Sequence, residues 1–303
     1  MNTGGKVLIT GAYGFLGSYI RRAFEASGQE VISLGRSDIN DISLDLSKEE
    51  PELDYLPINK VIHCAGLAHK IPKGKDGAQE FYDVNLEGTE NLLISLIPIA
   101  SQIKQLVYIS SAAVYGKFIG YSIPEDVSLD GTSPYAKSKI FAEEQVRTWC
   151  DQYGVPGLIL RLPVVAGANA PQSIREIIQG LEKGKYVRIG KGGTRKSMVL
   201  AEDVANHMVH WEGKDGIYNL TDGYHPSYAE IEKYIADRLH LKLPRSIPDW
   251  QARIFSGIGD LIPGFPLHSR LYQQITSEMI FEDSKARKDL GWKPRKVIEV
   301  EWL

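Results

Sequence analysis

Short, β-branched apolar runs recur through the first half of the chain: KVLIT (6–10), EVISLGR, KVIHCAG, QLVYISS and GLILRLP, with GIYNLTD further on. Between them the apolar positions change period. Phe15, Leu16, Tyr19, Ile20 and Phe24 recur at helical spacing, and FYDVNLEGTENLLISLI and SKIFAEEQVRTWCDQYG read as longer helices. Parallel neighbouring strands need long crossovers, and right-handed crossovers put helices on both faces, so the alternation predicts an α/β fold with a doubly wound parallel sheet. Beyond Pro163 glycine and proline become frequent, and helical stretches such as SYAEIEKYIADRLH no longer alternate steadily with strands. We therefore expect a first domain over residues 1–165, with returning segments near 198–222, and a smaller, mixed, discontinuous C-terminal substrate domain over 166–303. The apolar stretch FSGIGDLIPGFPL (255–267) is broken by glycines and prolines and reads as a substrate-covering loop in preference to a membrane-touching segment.

Composition narrows the functional classes. A chain of 303 residues with 43% hydrophobic content can bury a large core. The 35 basic residues are outnumbered by 38 acidic ones, and no basic block occurs, which argues against nucleic acid as a partner. Any anionic ligand must be held locally. Two cysteines, Cys64 and Cys150, provide neither a disulfide framework nor metal-ligand spacing, so we expect no metal and a reducing, cytoplasmic setting. No run reaches transmembrane length and no signal-peptide pattern opens the sequence.

Ligands of open α/β sheets lie beyond the carboxyl ends of the strands, and the unusual residues fall there. After the first run, Gly11, Gly14 and Gly17 remove Cβ atoms where a turn passes under a ligand and enters a helix, whose N-terminus suits a pyrophosphate. Arg36, about 20 residues on, stands where such folds read the adenosine ribose. Gly35 and Arg36 leave room and a guanidinium for the 2′-phosphate of NADP; stacking on the adenine of NAD is the competing reading, and the balance leans to NADP. Asp45, followed by Leu46, reads equally as an adenine contact or a turn cap. In SPYAKSK, Tyr135 and Lys139 share one helical face, an arrangement in which an ammonium and a cationic nicotinamide would lower the phenol toward the working pH. Ser110 and Ser111, at the end of QLVYISS, are placed to hydrogen-bond a substrate oxygen.

Taken with this pair, TGAYGFLG, VIHCAG, VNLEGTENLL, ISSAAVYG, YAKSK, LRLPVVAG and DSKARKDLGWKP occur in an order that resembles the extended short-chain dehydrogenase/reductase superfamily, specifically the NAD-dependent epimerase/dehydratase group that modifies nucleotide sugars. The resemblance covers nearly the whole chain. It implies a Rossmann-type dinucleotide domain, with Gly11, Gly14 and Gly17 as the cofactor loop and Phe15 and Leu16 over the pyrophosphate. It also implies that Ala65 and Gly66 run beside the cofactor, that Asn85 and His63 are structural, and that Ser111, Tyr135 and Lys139 are the catalytic set. Arg195 and Lys196 match the place of a basic residue against the nucleotide diphosphate; a solvated basic loop is the alternative.

Departures from the family pattern narrow the reaction. Ala112 and Ala113 replace the Asp-Glu pair that eliminates water in sugar 4,6-dehydratases, and Val164 replaces a common diphosphate-contacting Asn. The texture of HCAGLAHKIP and RKSMVLAEDVA is most similar to enzymes of surface-polysaccharide pathways. The expectation is therefore NAD(P)-dependent hydride transfer at C4 of a UDP-linked, N-acetylated amino sugar by a 4-ketoreductase. Its alternatives are a 4-epimerase with tightly held NAD and a non-catalytic dinucleotide-sensing protein. The resemblance further implies homodimers paired through the two long helices.

Overall fold

A computed structural model describes residues 5–68, 74–170, 172–262, 265 and 267–303. The first half runs β1 (Lys6–Thr10), α1 (Phe15–Ala26), β2 (Val31–Gly35), β3 (Ile42–Ser43), β4 (Ile58–His63), α2 (Gly74–Tyr82), α3 (Gly88–Leu96), β5 (Gln105–Ser111), β6 (Gly120–Ile123), α4 (Pro134–Tyr153) and β7 (Gly157–Leu162). There follow β8 (Val164–Ala166), α5 (Gln172–Glu182), β9 (Val187–Ile189), β10 (Met198–Leu200), α6 (Ala201–Met208), β11 (Gly216–Asn219) and α7 (Tyr228–Arg238). The last elements are β12 (Arg245–Ile247), α8 (Asp249–Leu261), α9 (Ser269–Thr276), β13 (Met279–Phe281) and α10 (Ser284–Asp289).

Seven of these strands form one sheet in the order β11-β7-β5-β4-β1-β2-β3, and all their pairings are parallel. The α/β fold with a doubly wound, Rossmann-type sheet is thus what the alternation of runs requires. Both faces of the sheet are covered, and the period of two shows in which side each residue joins. Val7, Ile9, Ile62, Val107, Leu158 and Leu160 pack with α1, α6 and the indoles of Trp211 and Trp292. Their neighbours Leu8, Val61, Leu106 and Ile159 pack on the other side with α3 and α4. Chain order reverses between β1 and β4, which creates a crevice beyond their carboxyl ends.

The long pattern at 81–97 is not one regular helix. A π-helical turn, Asp83–Glu87, joins α2 to α3 and carries Asn85. By contrast, α4 is continuous because its ends are well specified. Ser133 caps it by accepting from the Ala136 N–H, Pro134 opens its first turn, and Gly154 ends it at φ 65°.

Outside the main sheet, β10 pairs with β8, β12 with β9 and β13 with β6. Here the reading of 255–267 as a loop is corrected, because residues through Leu261 continue α8. Its glycines cost helix propensity, yet Gly259 is needed: a Cβ there would lie 1.9 Å from the Leu267 carbonyl oxygen. Pro263, Gly264 and Pro266 of that stretch lie outside the described residues.

Candidate active site

The site is built at the β1–β4 crevice. Gly11 adopts φ 67°, and a Cβ on it would meet Ala65 Cα and N at 2.9 Å. Gly14 is the N-cap of α1 and offers no side chain to its first-turn N–H groups. Gly17 lies so near the turn that a Cβ would fall 2.0 Å from the Gly11 carbonyl oxygen. The three glycines therefore let strand, turn and helix approach closely while first-turn N–H groups are left facing the crevice, a cradle that fits an anionic pyrophosphate. Leu16 is buried in the core and Phe15 packs on Tyr19, so their backbone, not their side chains, borders this cradle.

Beyond β2, Arg36 is exposed and Gly35 lies against Asn40. One acid in this region, Asp41, is already committed to Ser33, accepting from its N–H at 2.8 Å and its hydroxyl at 2.7 Å; these bonds hold its carboxyl below the usual range. Asp45 caps its own turn, accepting from the Ser47 N–H at 3.2 Å and hydroxyl at 2.8 Å through one oxygen. Leu46 is buried, and its carbonyl accepts from Asn91.

Beside the cradle, His63 bridges Thr10 at 2.6 Å and Thr89 at 2.9 Å, and burial drives its pKa down to about 3, so it is a neutral link between strands and helix. Asn85 accepts from the Leu67 N–H at 2.7 Å and donates to the Leu67 carbonyl and the Ser138 hydroxyl, both at 3.0 Å. It thereby ties the segment after β4 to α4. Gly66 keeps that segment close: a Cβ would lie 3.2 Å from Lys139 Nζ.

The pair on α4 is brought to the end of β5 as its spacing requires. Tyr135 is half-buried with its ring 6.0 Å from that of Phe81, and the Ser111 side chain is close enough to its phenol to favour the ionised form. Ser111 also accepts from the Ala113 N–H at 3.2 Å. Burial sets the electrostatics of the protein's own groups here. Lys139 is buried, donates to the Ile109 carbonyl at 2.9 Å and lies 4.6 Å from the Tyr108 ring centre, and burial lowers its pKa to about 8. Burial also pushes the Tyr135 phenol above its ordinary value, against the opposing pull of Ser111. The expected lowering calls on a cationic nicotinamide together with Lys139, whose ammonium here faces a carbonyl and a ring.

Ser110 requires a correction. Successive strand residues face opposite sides, and Ser110 turns away from Ser111, buried, to donate to Glu143. A hydroxyl used in this way is not available to a substrate. Glu143 and Arg161 were missed by sequence reasoning. Arg161 donates to the Glu143 carboxylate at 2.7, 3.1 and 3.2 Å, and also to the Tyr115 hydroxyl at 3.1 Å and the Glu125 carbonyl at 2.9 Å. The available signal was Glu143 falling one further helical turn after Lys139, on the same face.

Farther out, Arg195 donates to the carbonyls of His225 at 2.9 Å and Tyr224 at 2.8 Å. Lys196 donates to the Ser277 carbonyl at 2.7 Å, with burial lowering its pKa to about 8. Both are tethered groups, not members of a freely solvated loop. Among the described residues no group of His, Cys, Asp and Glu could hold a metal ion, and no helix is long and apolar enough to cross a membrane. Cys64 and Cys150 are free thiols.

Residues 7–220 match a family described as the NAD dependent epimerase/dehydratase family. The chain belongs to that family. This epimerase/dehydratase family belongs to the extended short-chain dehydrogenase/reductase enzymes, and this chain is such an enzyme. It is 26% identical over 330 residues to a UDP-glucose 4-epimerase of Lactobacillus helveticus, covering 96% of this chain and 92% of that one. It is 25% identical over 189 residues to an N-acetyl-alpha-D-glucosaminyl-diphospho-ditrans,octacis-undecaprenol 4-epimerase of Escherichia coli O157:H7, covering 62% and 53% respectively. Among solved structures, MoeE5 in complex with UDP-glucose and NAD superposes with a TM-score of 0.76 at 21% identity, over 97% of this chain and 95% of that one. That likeness shows the family fold.

Proposed function

We propose that this enzyme transfers hydride at C4 of a UDP-linked, N-acetylated amino sugar, working as an NADPH-dependent 4-ketoreductase in surface-polysaccharide synthesis. The observation that favours reduction is the end of β2. An exposed guanidinium, Arg36, stands there; of the acids around it Asp41 is bound to Ser33, Asp45 is bound to Ser47 and feels the Arg36 charge, and Asp38 is exposed. A guanidinium there suits a 2′-phosphate, and NADPH is the cofactor that cells keep reduced. A second reading, 4-epimerisation with tightly held NAD, is supported by the names of the relatives and by the NAD bound in MoeE5.

The residues assigned are Ser111, Tyr135 and Lys139 for catalysis. Gly11, Gly14, Phe15, Leu16, Gly17, Arg36, Asp45, Leu46, Ala65 and Gly66 border the dinucleotide, and Arg195 and Lys196 border the sugar diphosphate. The bound nicotinamide supplies the hydride for C4. Ser111 holds the oxygen on C4, and Tyr135 gives it a proton as the carbonyl is reduced, or takes one from the hydroxyl in the reverse direction. Lys139 stays charged at neutral pH with its pKa about 8, and its assigned role is to hold the nicotinamide ribose. Ala112 and Ala113 carry no acid or base, which argues against elimination of water. The residues after 165 form the smaller sugar-binding part, with 198–222 returning to the dinucleotide part. Exposed Ile94 and Ile97 beside α3 and Phe141 on α4 support homodimer pairing through those helices.

The test incubates purified protein with UDP-4-keto-6-deoxy-N-acetylglucosamine and NADPH, following the nicotinamide absorbance, in parallel with UDP-N-acetylglucosamine alone. Stoichiometric NADPH consumption with the keto sugar supports the reductase. Epimerisation without net cofactor turnover overturns it in favour of the second reading. Cofactor binding without either reaction would leave the dinucleotide-sensing alternative.

A further inference from the structure

The helix α8 is built inside out. Where a helix packs on a globular body, its large apolar residues face inward. On α8 the inward residues are Ala252 and Ser256, both buried, together with the closely packed Gly259. The large ones face out: Trp250 is 62% exposed, Ile254 55%, Ile258 38% and Leu261 83%. At about 100° per residue these four fall within one stripe roughly 80° wide, and no polar residue of α8 projects inside it.

The charges near the stripe are predominantly positive. From residue 242 to 276 the sequence carries Lys242, Arg245, Arg253 and Arg270 against Asp249 and Asp260, in a chain of net charge −3. Both acids are engaged within the helical pair. Asp249 accepts from Tyr272 at 3.0 Å, and Asp260 accepts from the Ser269 N–H at 2.9 Å and from its hydroxyl. The four basic residues are exposed, and Arg253 lies on α8 itself, about 60° around the helix from Trp250. The helical pair also reaches the catalytic side of the sheet, because Arg270 lies 5.1 Å from the centre of the Phe118 ring, just beyond the Ser111–Tyr115 turn.

We propose that α8 docks on the surface of an anionic bilayer, with Trp250, Ile254, Ile258 and Leu261 entering the boundary between headgroups and acyl chains and the flanking basic residues meeting lipid phosphates. An apolar stripe with a tryptophan at one end and cations around it matches such a boundary in both phases. Docking in this pose sets the sugar site beside the membrane surface, within reach of a sugar diphosphate carried on a lipid. The proposal extends the C4 reading of the site but is measured independently of it.

The experiment is flotation of the full chain with phosphatidylcholine vesicles, with and without phosphatidylglycerol, alongside the Ile254→Gln/Leu261→Gln double variant and Arg253→Glu. Wild type should float with the anionic vesicles, the double variant should lose about ten-fold or more of that binding, and Arg253→Glu should lose binding chiefly where phosphatidylglycerol is present. Turnover of a soluble UDP-sugar should be unchanged in all three, which separates failed docking from a failed reading of the reaction. Absence of wild-type flotation, equal flotation of the double variant, or self-association of the wild type that the double variant abolishes would each overturn the proposal.

Discussion

Replacing Glu143 with alanine tests whether the platform beneath the catalytic end of β5 is as dry as its geometry shows. Both ionic side chains are 3% exposed, and Arg161 contacts the carboxylate through Nε and Nη2 at 2.7–3.2 Å. Glu143→Ala removes three charge-assisted contacts to Arg161 and the acceptor of the Ser110 hydroxyl, leaving a guanidinium buried with only Tyr115 and the Glu125 carbonyl. Breaking one side of such a pair costs about 3–5 kcal/mol, which for a chain of this size lowers Tm by on the order of 10 °C. Scanning calorimetry and urea unfolding should agree on that loss. Glu143→Leu combined with Arg161→Met should cost far less than the single change, since it removes both charges and fills the space. A single-variant loss of no more than about 1 kcal/mol, the value of an exposed ion pair, would refute the claim that water is excluded here.

Three further outcomes are expected. Tyr135→Phe should bind cofactor as wild type does in a fluorescence titration while kcat falls by roughly 10²–10⁴; undiminished turnover would remove the phenol from the reaction. Arg36→Asp should raise KM for NADPH by about 10–100-fold, from loss of a charge-assisted contact, with little change for NADH in steady-state assays. His63 has a folded pKa of about 3 against an ordinary 6.5, so the unfolded chain takes up its proton first. Its contribution is intact above pH 6.5 and declines as pH falls toward 3, by about 2 kcal/mol at pH 5, and His63→Gln should flatten that decline in urea midpoints taken at pH 7 and pH 5.

The parallel sheet was legible because each run is bounded and apolar, and the glycine cradle because Gly11, Gly14 and Gly17 follow a strand and open a helix. Tyr135 and Lys139 were legible as a pair through their spacing taken together with the ordered motifs around them. What spacing does not carry is direction. Ser110 and Ser111 are equivalent as letters, but the pleat sends one to Glu143 and leaves the other, on the opposite side, to accept from the Ala113 N–H. Lys139 has the right offset, yet the Ile109 carbonyl and Tyr108 ring decide where its charge acts. The stretch at 255–267 was misread because glycine and proline signal breaks, whereas Gly257 and Gly259 lie inside a helix that tolerates them, Gly259 through its close approach to residue 267.

The final segment clasps the fold at several points. Arg295 reaches Glu202 and Asp203 at the start of α6, the Val297 N–H donates to Asp222, and the Trp292 indole donates to the Thr221 carbonyl. Since α6 lies against α1, the helix that opens at the glycine cradle, its outer support arrives only with residues near 295. On the ribosome, therefore, the dinucleotide site should mature only after residues near 295 have emerged, and nascent chains arrested before residue 283 should be protease-sensitive at α6 even though every strand of the main sheet has already been made.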